Sequence, residues 1–147
     1  MQLLSDSYVL VVEDSDEDWD TALQAAQQSG CAHRLIRAAD GSTGLALLRG
    51  DGAPPLQPAF VLLDLNLPGL DGRTLLAEIK ADAETRQLPI VVFSTSSNPR
   101  DVAASYAAGA NAYHVKPVSF NAHLGKLRSL FDYWLANAVL PPRSNLF

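Results

Sequence analysis

A three-layer α/β sandwich on a five-stranded parallel sheet is the fold this sequence predicts, and three observations predict it. Short apolar runs alternate five times with helical patterns, most of those runs are unbroken, and reactive side chains follow them directly. Unbroken hydrophobic strands are those covered on both faces, and β-α alternation joins parallel strands by right-handed crossovers.

The first strand is Tyr8–Val12. Ser15, three residues before Asp18, makes a capping-box-like start to a helix that carries Trp19, Ala22, Leu23 and Ala26 on its apolar face. Gly30 ends that helix, and the partly alternating segment His33–Ala38 suits a strand at one sheet edge. Leu45 and Leu48 mark a second helix, stopped by Gly50-Asp51-Gly52 and a proline-rich loop over 54–58. Ala59–Leu63 is the next buried strand. Asp71 then caps a helix whose core positions are Leu75, Leu76 and Ile79. Ile90–Phe93 repeats the buried-strand pattern, and Ser94-Thr95-Ser96-Ser97-Asn98 supplies a turn and an N-cap. A fourth helix runs through Val102, Ala103, Tyr106 and Ala107 to Gly109. Ala110–Val115, more polar, suits the other edge. The last helix carries Phe120, Leu124, Leu127, Phe131 and Trp134 or Leu135 before Pro141-Pro142 stops it.

The length of 147 residues fits one core, and 48% hydrophobic against 18% charged residues is a globular composition. A net charge of −5 without a basic run excludes nucleic acid as a partner, and the length leaves no room for a DNA-binding output domain. The lone Cys31 cannot form an intramolecular disulfide, which fits a reducing compartment. The short acidic N-terminus is not a signal peptide, and no apolar stretch approaches the roughly 20 residues of a membrane span. The expectation is a soluble cytoplasmic protein with no membrane partner.

In open parallel sheets, ligands sit at the carboxyl ends of strands where strand order reverses. Glu13 and Asp14 follow the first strand, Asp64 the third, Ser94 the fourth and Lys116 the fifth. Three carboxylates packed together repel each other and demand a cation, and oxygen-only donors suit Mg2+. A carboxylate can be a nucleophile toward phosphorus, with Mg2+, Lys116 and the Ser94 hydroxyl each taking an oxygen of the phosphoryl group. Asn66, two residues after Asp64, can offer its backbone carbonyl to the metal.

These segments resemble the receiver domains of two-component response regulators: Val11-Val12-Glu13-Asp14, the run from Leu62 through Asp64 and Pro68 to Asp71-Gly72, Leu88–Thr95, Gly109–Tyr113 and Lys116-Pro117. The likeness covers about residues 7 to 136. It implies a CheY-like, flavodoxin-like (βα)5 fold with strand order 2-1-3-4-5. It also implies Asp64 as phosphoacceptor from a sensor histidine kinase, Glu13, Asp14, Asp64 and the Asn66 carbonyl as the Mg2+ site, and Lys116 as the phosphate-pairing lysine. Ser94 and Tyr113 would be the switch pair, Ser96 and Asn66 would line the path of attacking water, and the Lys116–Pro117 bond would be cis. Self-phosphorylation and autodephosphorylation are then the chain's only catalysis.

Other readings compete. A haloacid-dehalogenase-type phosphatase also uses an aspartyl-phosphate, but it needs an acid two residues after the nucleophile, where Asn66 stands. A phosphate sink or relay intermediate, and a degenerate binding scaffold, are further alternatives. His33, His114 and His123 lack ligand spacing and read as surface or partner-facing. The segment 131–142 is more apolar than closing the last helix requires, with Phe131, Tyr133 and Trp134 unable to share one face. Residues 1–136 thus read as the receiver domain and 137–147 as an interface-forming extension. The tail, around Trp134-Leu135 and Leu140-Pro141-Pro142, is similar to that of the single-domain regulators of bacterial and cyanobacterial phytochrome kinases. That likeness implies a red-light sensor kinase upstream and a homodimer through the last helix and tail.

Overall fold

The structure, a computed structural model, describes residues 8–51 and 53–142. In chain order it contains β1 (Val9–Val12), α1 (Asp16–Gln28), β2 (Leu35–Ala38), α2 (Gly41–Arg49), β3 (Phe60–Leu63), α3 (Gly72–Ala81), β4 (Ile90–Ser94), α4 (Pro99–Ala107), β5 (Ala112–Val115) and α5 (Phe120–Asp132). One 3-10 turn (Ala32–Arg34) precedes β2, and a π-helical turn (Tyr133–Asn137) extends α5. The five strands are parallel in the order β2-β1-β3-β4-β5, as expected.

The unbroken strands owe their composition to two cores. Val9, Val11, Phe60, Leu62, Val91 and Phe93 point to the side of α1 and α5, where Ala22, Ala25, Ala26, Leu124, Leu127 and Phe131 meet them. The alternate residues Leu10, Val12, Val61, Leu63, Ile90 and Val92 face Leu48, Leu75, Leu76 and Ile79 of α2 and α3. Successive strand side chains point to opposite faces, so burial on both sides requires every position to be apolar.

Each helix starts on a polar cap: Ser15, Asp40, Asp71, Asn98 and Ser119 accept the N–H of Asp18, Thr43, Arg73, Arg100 and Ala122. Since each helix follows a strand, all five amino ends gather at the carboxyl rim of the sheet. Gly50 ends α2 in the left-handed conformation (φ 75°), as the sequence predicts. Gly52 of the same stop signal lies outside the described residues.

Several expectations need correction. The Lys116–Pro117 bond is trans, since there is no cis peptide among the described residues. Lys116 is held instead by its own N–H, which donates to the Ser94 carbonyl at 2.7 Å. Phe120, the first residue of α5, is exposed. His123 is buried edge-on against Phe93 (centroids 5.2 Å apart), packed where α5 crosses the end of β4, not facing solvent. The tail divides. Trp134 lies 5.9 Å from Phe60, and Trp134, Leu135 and Leu140 pack on the core, while Tyr133 and Val139 are exposed. No helix is long and apolar enough to cross a membrane among the described residues.

Gly72 shows how tightly the sheet rim is built. A Cβ there would come within 2.3 Å of the Asp64 carbonyl oxygen and 2.6 Å of Leu65 Cα, whereas one on Gly125 in α5 meets nothing within 4 Å. Gly72→Ala should therefore cost about 1–3 kcal/mol in urea unfolding, and Gly125→Ala should stabilise by about 0.5–1 kcal/mol. Equal effects of the two substitutions would contradict this packing.

Candidate functional site: an acidic cluster around a buried lysine

Strand register decides which side chains meet. Val12 pairs with Leu63, so the next residues, Glu13 and Asp64, leave the sheet side by side. Ser94 pairs with Val115, so Lys116 leaves next to them at the end of β5. Order reverses between β1 and β3, which is where an open parallel sheet has its ligand crevice.

Lys116 is the centre of the arrangement. Its buried Nζ donates to Glu13 Oε1 at 2.7 Å, Asp18 Oδ2 at 2.7 Å and Asp64 Oδ2 at 3.2 Å, with the Phe93 ring centroid 6.0 Å away. Burial alone would lower the lysine, but the hydrogen bonds from Asp18 and Glu13 and the charges of Glu13 and Asp64 outweigh it and hold the ammonium charged. Burial pushes the Glu13 carboxyl up to about 7, against the opposing pull of Lys116, and the Asp64 charge adds to the rise. Glu13 is further fixed at the backbone: its N–H donates to the Ala38 carbonyl (3.0 Å), and its carbonyl accepts Arg37 Nε (3.0 Å).

One ligand oxygen from each of Glu13, Asp14 and Asp64 lies within 4.8 Å of the others. Asp14 is exposed and the other two are buried, so the cluster opens to solvent on one side. An all-oxygen set of this size fits a hard divalent cation. Asp64 Oδ1 accepts the Asn66 N–H at 3.0 Å, leaving Oδ2 toward Lys116.

The Ser94 and Tyr113 side chains meet through the loop after β4. Ser94, fully buried, accepts the Ser96 N–H on Oγ at 3.2 Å, and the Tyr113 hydroxyl donates to the Ser96 carbonyl at 2.8 Å. The Ser96 hydroxyl donates to Asp101 Oδ2 at 2.5 Å, and Asp101 pairs with Arg73 at 3.2 Å. Arg73, Asp101 and Asp18 were not singled out as site residues from sequence. Each sits in the first turn of a helix, where acidic or basic residues have ordinary electrostatic explanations. For Asp18 the available signal was its place five residues after Glu13, on the first turn at the sheet rim. A surface cleft of about 550 Å3 is lined by α2 and the 53–57 loop and includes none of these groups.

The chain resembles known proteins over nearly its whole length. The family model for the response regulator receiver domain matches residues 9–128. The response regulator Rcp1 of Synechocystis is 36% identical over 90% of this chain and 92% of its own. Its Mn2+-bound crystal structure superposes with a TM-score of 0.86 at 35% identity, covering 92% of this chain and 99% of that one. The phosphorylated cyanobacterial phytochrome response regulator RcpA gives 0.87 at 36% identity over 92% and 99% of the two chains. RPA3017, a response regulator in red light signaling of R. palustris, gives 0.81 at 34% over the same shares. These likenesses, with Asn66 where a dehalogenase-type phosphatase needs an acid, do not favour the phosphatase reading. The full length of the fold, its acidic rim and its relatives agree: this chain belongs to the response regulator receiver domain family.

Proposed function

We propose that Asp64 accepts a phosphoryl group from a sensor histidine kinase of the phytochrome type, and that the chain signals by a phosphorylation-dependent change of its α4-β5-α5 surface. The observation that carries this is the convergence of Asp64, two further carboxylates and the Lys116 ammonium at one strand switch point. An Asp64 oxygen would form the P–O bond as the P–N bond to the donor's imidazole breaks. Lys116, 3.2 Å from Asp64 Oδ2, would pair with an oxygen of the transferred group, and the Asn66 N–H, 3.0 Å from Oδ1, would orient the carboxylate. Glu13, Asp14, Asp64 and the Asn66 backbone carbonyl would hold Mg2+. When bound, Mg2+ supplies positive charge to the phosphoryl oxygens. The Mn2+-bound relative and the oxygen-only donor set support this.

Ser94 would turn its hydroxyl from the Ser96 N–H toward the phosphoryl group, and Tyr113, tied to the Ser96 carbonyl, would move with that loop. The phytochrome link rests on Rcp1, RcpA and RPA3017. The chain would work in the cytoplasm, with autodephosphorylation ending the signal. Residues 1–136 would act as the receiver and 137–147 as its extension, forming a homodimer with α5 in which Tyr133 and Val139 are the exposed apolar contacts.

Incubation with acetyl phosphate and Mg2+ should give a hydroxylamine-labile phosphate that Asp64→Asn abolishes; steady phosphatase turnover, or no label at all, would sink the proposal. Mg2+ binding should strengthen as pH rises through about 7. Below that pH the buried Glu13 carboxyl holds a proton that the ion must displace, and above it none remains to displace. Titration calorimetry in two buffers reads the released proton, and Glu13→Gln should bind more weakly without that slope. For the dimer, Tyr133→Glu with Val139→Glu should convert a dimer to a monomer in light scattering. A wild-type chain that is monomeric at high concentration refutes it.

A further inference from the structure

Asp18 carries a carboxylate that neither the helix cap nor the metal-type cluster uses. Its backbone N–H donates to the Ser15 hydroxyl at 3.2 Å, which is one half of a capping box. The other half is taken by a different residue, since the Ser15 N–H donates to Glu13 Oε2 at 3.1 Å. The Asp18 carboxylate is thereby released, and it lies 2.7 Å from Lys116 Nζ. That contact equals the one to Glu13 and is shorter than the 3.2 Å to Asp64. Asp18 also stands outside the three carboxylates whose ligand oxygens cluster.

An ammonium has three N–H donors, and Glu13, Asp18 and Asp64 occupy all three on Lys116. An oxygen of an arriving phosphoryl group must displace one of them. Glu13 and Asp64 belong to the cluster that fits a divalent ion, and an ion there would share their charge. Asp18 would keep its full pull on the lysine. Its side chain is 30% exposed, so solvent screens it only in part.

We propose that Asp18 is a positioning residue that holds Lys116 back from the phosphoryl group and so restrains phosphorylation of Asp64. This rests on Asp64 being the phosphoacceptor. The test uses the full chain with Mg2+ and beryllofluoride, a mimic of the aspartyl-phosphate, in equilibrium titrations read by calorimetry. Asp18→Asn should bind beryllofluoride roughly threefold to tenfold more tightly, the effect of one partly screened charge at contact distance. Asp18→Glu should return to the wild-type affinity. In a Lys116→Gln background, Asp18→Asn should bring no gain, because the two residues act as a coupled pair. A merely structural Asp18 would lower the melting temperature of Asp18→Asn without tightening binding. Equal or weaker binding by Asp18→Asn, or a gain that persists without Lys116, overturns the proposal while wild-type binding stands. A wild-type chain that binds no beryllofluoride overturns the Asp64 reading and this proposal together.

Discussion

The rim of this sheet is governed by the cost of holding like charges out of water. Glu13 and Asp64 are both buried, and burial raises the Glu13 carboxyl. Lys116 answers that cost with one ammonium shared among three carboxylates, and the raised Glu13 carboxyl shows that the compensation is incomplete. A site in this condition has an affinity for further positive charge built into it. The cluster is open on the side where Asp14 is exposed.

Much of the remaining architecture serves to keep those groups in register. Parallel pairing of β1 with β3 and β4 with β5 delivers the charged residues to one level. The close approach of Gly72 to the Asp64 carbonyl fixes the start of α3 against the end of β3. Beyond the rim, Arg73, Asp101, Ser96 and Tyr113 form a continuous series of polar contacts from α3 through α4 to β5. The loop that follows Ser94 is therefore tied on two sides at Ser96, and any displacement of it must carry or break contacts that reach the α4-β5 surface.

The parallel β-α alternation, the two-faced core and the helix caps were legible in the sequence because each depends on local pattern, whereas the strand order came from the family resemblance. Continuous β-branched runs identify strands covered on both faces, and Ser15, Asp71 and Asn98 identify helix starts through backbone chemistry confined to one turn. The convergence of Glu13, Asp14, Asp64 and Lys116 was legible for a related reason. In a parallel sheet the residue after each strand arrives at the same edge whatever the intervening helix contains.

Where a side chain goes once it reaches that edge was decided by tertiary structure alone. Asp18 has the spacing of a capping-box partner, yet Glu13 takes the Ser15 N–H and Asp18 turns to a lysine 98 residues away. His123 is polar by composition but is buried, because α5 lays it edge-on against Phe93. Trp134 and Leu135 enter the core while Tyr133 between them and Phe131 stays out, since a π-helical turn sets their rotation about the axis. Periodicity and spacing report what the backbone will do nearby. Competition among distant side chains for one donor, one ring face or one gap is resolved only when the whole chain has packed.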